Sequence, residues 1–166
     1  GVANGGHFNE FAVLYRMNAQ SNAIEKALVR RAIPYRIFGG TKFYDRKEIK
    51  DILAYLSVME NSADTQRLLR IINEPRRGIG NSTIAAAMQI AEGTGSSLFE
   101  VIDEAECYPS LAKKHASLSA FTSLIKELCK KAEQLPLSEL LDELLTATGY
   151  GDSLQKLGPE GLFRLE

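Results

Sequence analysis

Glu74-Pro75-Arg76-Arg77-Gly78-Ile79-Gly80-Asn81-Ser82-Thr83 is the stretch on which the reading of this chain turns. Before it, Leu68, Leu69, Ile71 and Ile72 recur at helical spacing; after it, a second helical pattern runs from about Ile84 to Ala91. Pro75 has no N–H and ends the first helix. Gly78 and Gly80 let the backbone turn sharply with positive φ and let a bulky partner come close. A helix that begins just after Gly80 presents unpaired N–H groups and the positive end of its dipole. That combination is a ready anion site. Arg76 and Arg77 add cations, and Ser82 and Thr83 add hydroxyls. A phosphate of duplex DNA would fit such a turn, held by shape rather than by base sequence. The same residues also suit a plain connection between two helices, with glycine closing the first and Ser or Thr capping the second.

Upstream, Phe11-Ala12-Val13-Leu14-Tyr15 reads as a buried strand, a helix follows from about Ser21 to Ala32, and Tyr35-Arg36-Ile37-Phe38 reads as a second strand. Residues 11–38 therefore predict a strand–helix–strand unit of a parallel sheet. One such unit cannot cover both faces of its sheet, so further strands from a longer chain are expected. Arg16-Met17-Asn18-Ala19-Gln20-Ser21 would stand at the carboxyl end of the first strand, where open α/β sheets bind ligands. Asn18 or Ser21 could equally cap the helix. The segment Gly39 to Glu48 marks the change from α/β to all-α character. There Lys42, Arg46 and Lys47 supply cations and Phe43 and Tyr44 flat faces, a mixture suited to single-stranded nucleic acid. The two aromatics suit an internal seam just as well.

Downstream, helices are predicted over 46–59, from Asp64-Thr65 to Pro75, over 98–105, from about residue 110 to Gln134, and from Leu137 to a stop at Thr148-Gly149-Tyr150. The tail from Gly158 begins what reads as one more helix and breaks off within it. The fold class expected is mainly α: a small α/β piece, then an all-helical subdomain built around the Gly-Ile-Gly turn.

The remaining features mostly exclude. Hydrophobic residues make up 45% of the 166, enough for a packed core. A net charge of -1 is unusual for a free-standing nucleic-acid binder, so any such contact must come from local cationic clusters and backbone N–H groups. Two cysteines, Cys107 and Cys129, and two separated histidines give no metal-ligand spacing. Sparse cysteines and the lack of a leader or spanning pattern lead to an expectation of a cytoplasmic protein without membrane contact. No phosphate loop of the form GxxxxGK[ST] occurs, no GxGxxG, and no catalytic motif. No catalytic residue, cofactor or metal is therefore expected in this chain.

Four ordered blocks carry a resemblance. They are Phe11 to Ser21 (FAVLYRMNAQS), Ile33 to Gly40 (IPYRIFGG), Phe43 to Leu56 (FYDRKEIKDILAYL) and Leu69 to Gly80 (LRIINEPRRGIG). Together they resemble the UvrD/PcrA/Rep-like superfamily 1 DNA helicases, and the helix–GIG–helix arrangement resembles the helix-hairpin-helix class of DNA backbone binders. In that family two RecA-like domains sandwich ATP and move along single-stranded DNA from 3′ to 5′, and a helical subdomain, 2B, is inserted in the second of them. The resemblance implies that residues 1–41 are part of the second RecA-like domain (2A) and that 42–166 are the inserted 2B subdomain, truncated at its C-terminus. ATP and Mg would be bound by parts of the parent enzyme outside this chain. Arg16, Asn18 and Ser21 would belong to a single-strand contact block, with Lys42 at the subdomain boundary. Arg76, Arg77, Gly78, Ile79, Gly80 and Thr83 would contact the duplex backbone. Asn22 stands where many relatives carry arginine, which removes one cation. The partners implied are single-stranded and junction DNA, the rest of the helicase, and repair or replication proteins. The alternative is a protein-interaction or autoinhibitory module that uses the acidic helices 98–106 and 137–145 and binds little DNA.

Overall fold

The structure is a computed structural model and describes residues 7–15, 19–37, 43–156 and 158. These divide into a smaller unit that ends at Lys50 and a larger one that starts at Asp51. Every regular element among the described residues is helical.

In the smaller unit, helix α1 spans Ala19–Arg30. It ends before Pro34 is reached. Ala32 adopts a left-handed φ of 51°, and the N–H groups of Ala32 and Ile33 return to the carbonyls of Val29 and Leu28. Such paired return bonds satisfy carbonyls that a helix end would otherwise leave open. The two expected strands are not formed among the described residues. Phe11, Val13 and Leu14 are 55%, 60% and 94% exposed, and Tyr35 is 41% exposed. An apolar run becomes a strand only when another strand takes up its N–H and C=O groups, and no neighbour does so here. Among the described residues the strand–helix–strand arrangement is not formed, and irregular segments flank one helix. Phe38 and the Gly39–Lys42 boundary lie outside the described residues, as does the tail beyond Lys156 apart from Gly158.

The larger unit is built from α2 (Lys47–Glu60, which crosses the boundary), α3 (Thr65–Ile71), α4 (Asn81–Thr94), α5 (Leu98–Asp103), α6 (His115–Ala132), α7 (Leu137–Ala147) and α8 (Tyr150–Gln155). Caps explain several starts. Asp64 accepts from the Arg67 N–H at 3.1 Å. Ser97 and Glu100 form a reciprocal capping box, which also holds the Glu100 carboxyl below its ordinary pKa. Four of the six α5 residues, Leu98, Phe99, Val101 and Ile102, are buried, so this short helix sits inside the bundle rather than on it. It packs against α3, α4 and α6. On α6, Leu118, Phe121, Thr122, Ile125 and Leu128 fall on one face and are buried. The long helix expected from residue 110 instead starts at His115, after a 3-10 turn over Ala112–Lys114.

Helix α8 was not expected. Gly149, with φ of 71°, separates it from α7. The Tyr150 hydroxyl donates to Asp51 Oδ2 at 2.6 Å, while Arg70 Nε meets Asp51 Oδ1 at 2.7 Å. Asp51 is 1% exposed, so these two donors neutralise and solvate a carboxylate that water cannot reach. The contact joins the start and the end of the unit. Replacing Tyr150 by Phe removes one donor from a buried acceptor and is expected to cost about 1–3 kcal/mol. Urea unfolding checks this: a midpoint equal to that of the parent chain would show that the clamp contributes nothing.

Candidate nucleic-acid interface

The Gly-Ile-Gly turn lies between α3 and α4, and side chains that the periodicity does not reveal hold it in place. Asn73 Oδ1 accepts from the Arg77 N–H at 2.8 Å and from the Ile79 N–H at 3.4 Å. Ile79 is 1% exposed and plugs the turn into the core. Gly78 has a φ of 71°, a conformation that L side chains resist.

Arg77 faces inward. Its Nη1 donates to the carbonyls of Ile71 and Pro75 at 3.1 and 3.2 Å, and its Nη2 donates to the Tyr55 hydroxyl at 2.7 Å. The same hydroxyl donates to the Glu74 carbonyl at 2.6 Å. The guanidinium carbon lies 5.2 Å from the centroid of the Phe121 ring on α6. Arginine's planar fork suits this task because it serves several acceptors and a ring face at once. Tyr55 is fully buried; burial pushes its pKa up, and the neighbouring guanidinium partly opposes the shift. Arg77 thus fixes the shape of the turn.

The outward side consists of Arg76, Gly78, Gly80, Asn81 and Ser82, all exposed, with Thr83 half-buried. Helix α4 opens at Asn81, three residues before the expected Ile84, so Ser82 and Thr83 lie in its first turn instead of capping it. The N-cap is Gly80, which offers no side-chain acceptor, and a Cβ placed on Gly80 would have nothing within 4 Å. A Cβ on Gly78 would stand 3.6 Å from the Lys114 ammonium. A lysine 36 positions further along thus approaches the turn, a neighbour that no local sequence signal revealed.

The remaining expected contact residues do not gather here. Arg16, Asn18 and Lys42 lie outside the described residues. Ser21 is described, in the first turn of α1, but it is 4% exposed and offers nothing to solvent. On the acidic helices, Asp103 is bonded to Lys126 at 2.6 Å and Glu143 to Lys131 at 2.5 Å. Among the described residues no three His, Cys, Asp or Glu side chains form a group that could hold a metal ion. No helix among them is long and apolar enough to cross a membrane.

Two outcomes test the inward arginine. Arg77→Lys keeps the charge but loses the fork, and it is expected to lower stability by about 2 kcal/mol. Unchanged unfolding would mean that the charge alone mattered. The raised Tyr55 pKa also has a sign. Its stabilisation is complete below the ordinary value of 10.0 and is lost as pH rises through the higher folded value. The stability gap between the parent chain and Tyr55→Phe should therefore narrow above about pH 10 in denaturant titrations.

With this geometry in hand, comparison with known proteins gives a consistent picture. The family model described as "UvrD-like helicase C-terminal domain" matches residues 2–157. The chain is 42% identical over 153 residues to the ATP-dependent DNA helicase PcrA of Staphylococcus epidermidis, covering 92% of this chain and 21% of that protein. It is 40% identical over the same length to the PcrA helicase of Staphylococcus aureus, with the same coverage. The chain thus spans about a fifth of the length of these relatives. Matched by this family model over nearly its whole length, the chain belongs to the UvrD-like helicase C-terminal domain family.

Proposed function

We propose that this chain serves an ATP-dependent DNA helicase that moves 3′ to 5′, and that it supplies contacts to the DNA backbone. The observation that carries the reading is the open start of α4. There the helix dipole, an N-cap without a side-chain acceptor and exposed glycine backbone face outward together, and Arg77 holds them rigid from behind. A preformed site of this kind binds an anion without first having to order a loop. The relatives' printed activity is that of DNA helicases, which supports reading the anion as a DNA phosphate. The exposed Arg76 and the hydroxyls of Ser82 and Thr83 complete the duplex contact. Single-strand contacts are assigned to Arg16, Asn18 and Lys42, with the buried Ser21 in a supporting place.

The residues of this chain do not fit an ATP–Mg site. The sequence has no phosphate loop, and the buried carboxylate of Asp51 is engaged by Tyr150 and Arg70. ATP hydrolysis is therefore assigned to parts of the longer helicase, and the irregular segments around α1 to pairing with strands of its second motor domain. Repair or replication proteins as partners, and action in the cytoplasm, belong to the same proposal.

Gly80→Asp separates DNA contact from folding. The position has open space and an ordinary φ of -88°, and Asp is a favoured N-cap, so the bundle should be as stable as before or more so. Its carboxylate would nevertheless stand where the phosphate belongs. In a fluorescence titration with forked DNA at low salt, binding is expected to weaken roughly tenfold. Equal affinity at equal stability would remove the turn from the DNA contact.

A further inference from the structure

We propose that Lys114 is a phosphate-binding residue of this turn and that, with Arg76, it supplies the charge that Arg77 does not. The inference rests on the duplex-contact reading above and adds to it a residue from a different part of the bundle.

Four observations lead to it. Arg77 directs its fork and its ring contact into the protein, so the more conspicuous of the paired arginines is not offered to solvent as a free cation. Lys114 and Arg76 are both exposed, and among the described residues neither side chain forms an ion pair or hydrogen bond. The Lys114 ammonium lies against Gly78, within 3.6 Å of where a Cβ would stand. Among the described residues the Gly78 and Gly80 N–H groups donate to no acceptor. An ammonium that approaches Gly78, in a turn whose glycine N–H groups have no acceptor among the described residues, is an arrangement to which a phosphodiester oxygen is complementary.

The placement of Lys114 is built into the fold. Its N–H donates to the Leu111 carbonyl at 2.8 Å, and Leu111 is 1% exposed, which anchors the 3-10 turn in the core. The next residue, His115, holds the Ala112 carbonyl through Nδ1 at 2.9 Å and starts α6. Further along α6, Phe121 packs under Arg77. One contact therefore fixes the turn against α6, and α6 in turn carries Lys114 to the turn. The ligand is duplex backbone and not single strand. A single strand is held by stacking its bases on aromatic faces, and no exposed aromatic residue occurs among the described residues of the larger unit.

The test compares Lys114→Ala, Lys114→Glu, Gly80→Asp and Lys130→Ala with the parent chain, each as the full chain. Lys130 is an exposed, unpaired lysine towards the other end of α6 and serves as the charge control. Fluorescence anisotropy with blunt duplex DNA and with an oligo-dT strand gives affinity as a function of salt. Lys114→Ala is expected to lower the slope of log affinity against log salt by about 0.9 on duplex, the value for one lost phosphate contact. Lys114→Glu should weaken duplex binding further, and Lys130→Ala should leave the slope unchanged. If Lys114→Ala and Lys130→Ala behave alike while Gly80→Asp still weakens binding, the turn reading stands and the assignment of Lys114 fails. If the parent chain shows no salt-dependent duplex binding, or Gly80→Asp is without effect, both fail. An equal loss on oligo-dT and duplex would overturn the choice of duplex. Urea midpoints for all variants exclude unfolding as the cause.

Discussion

A guanidinium fork holds the Gly78 end of this bundle together. Arg77 takes two carbonyls and a tyrosine hydroxyl and lies against a phenylalanine ring. Through them it joins α2, the end of α3, the turn itself and α6. A turn containing a positive-φ glycine and a proline has few bonds of its own to define its shape. Here the definition comes from the side chains of Arg77 and Asn73. Binding of a rigid partner then requires no ordering of the loop, which is where flexible loops lose most of their affinity.

The same economy of contacts recurs in the core. Helix α5 is too short to be stable alone, and it exists because four of its six residues are buried among α3, α4 and α6. Around it the bundle carries its polar groups in matched sets: Ser97 with Glu100, Lys126 with Asp103, Lys131 with Glu143.

What could be read in the sequence follows a physical line. Amphipathic spacing over several turns was legible, and so α2, α6 and α7 were placed to within a few residues, apart from the start of α6. The two helices on either side of Gly78 were legible from the apolar spacing and from Pro75. The run Phe11 to Tyr15 is irregular among the described residues because a short apolar run forms a strand only where a second strand accepts it, and that is a property of the surroundings. Helix α8 escaped notice because six residues after a glycine carry too little periodicity. The direction of Arg77 could not be read at all. It depends on Tyr55, 22 positions before it, and on Phe121, much further on. Lys114 was hidden for the same reason: it sits in a stretch that reads as the interior of a helix, and only the folded bundle brings it to Gly78.

The clamp between Asp51 and Tyr150 also bears on how the bundle is made. Its partners are 99 residues apart, and they close the unit across nearly its whole length. Closing so long a loop loses chain entropy that only the completed core can offset. Burying the Asp51 carboxylate before Tyr150 is in place would strand a charge with one partner missing. Helix α8 therefore acts as a latch. The earlier helices can assemble in outline, but their charged seam shuts only when α8 docks, which makes closure of the clamp and completion of the core parts of one cooperative event.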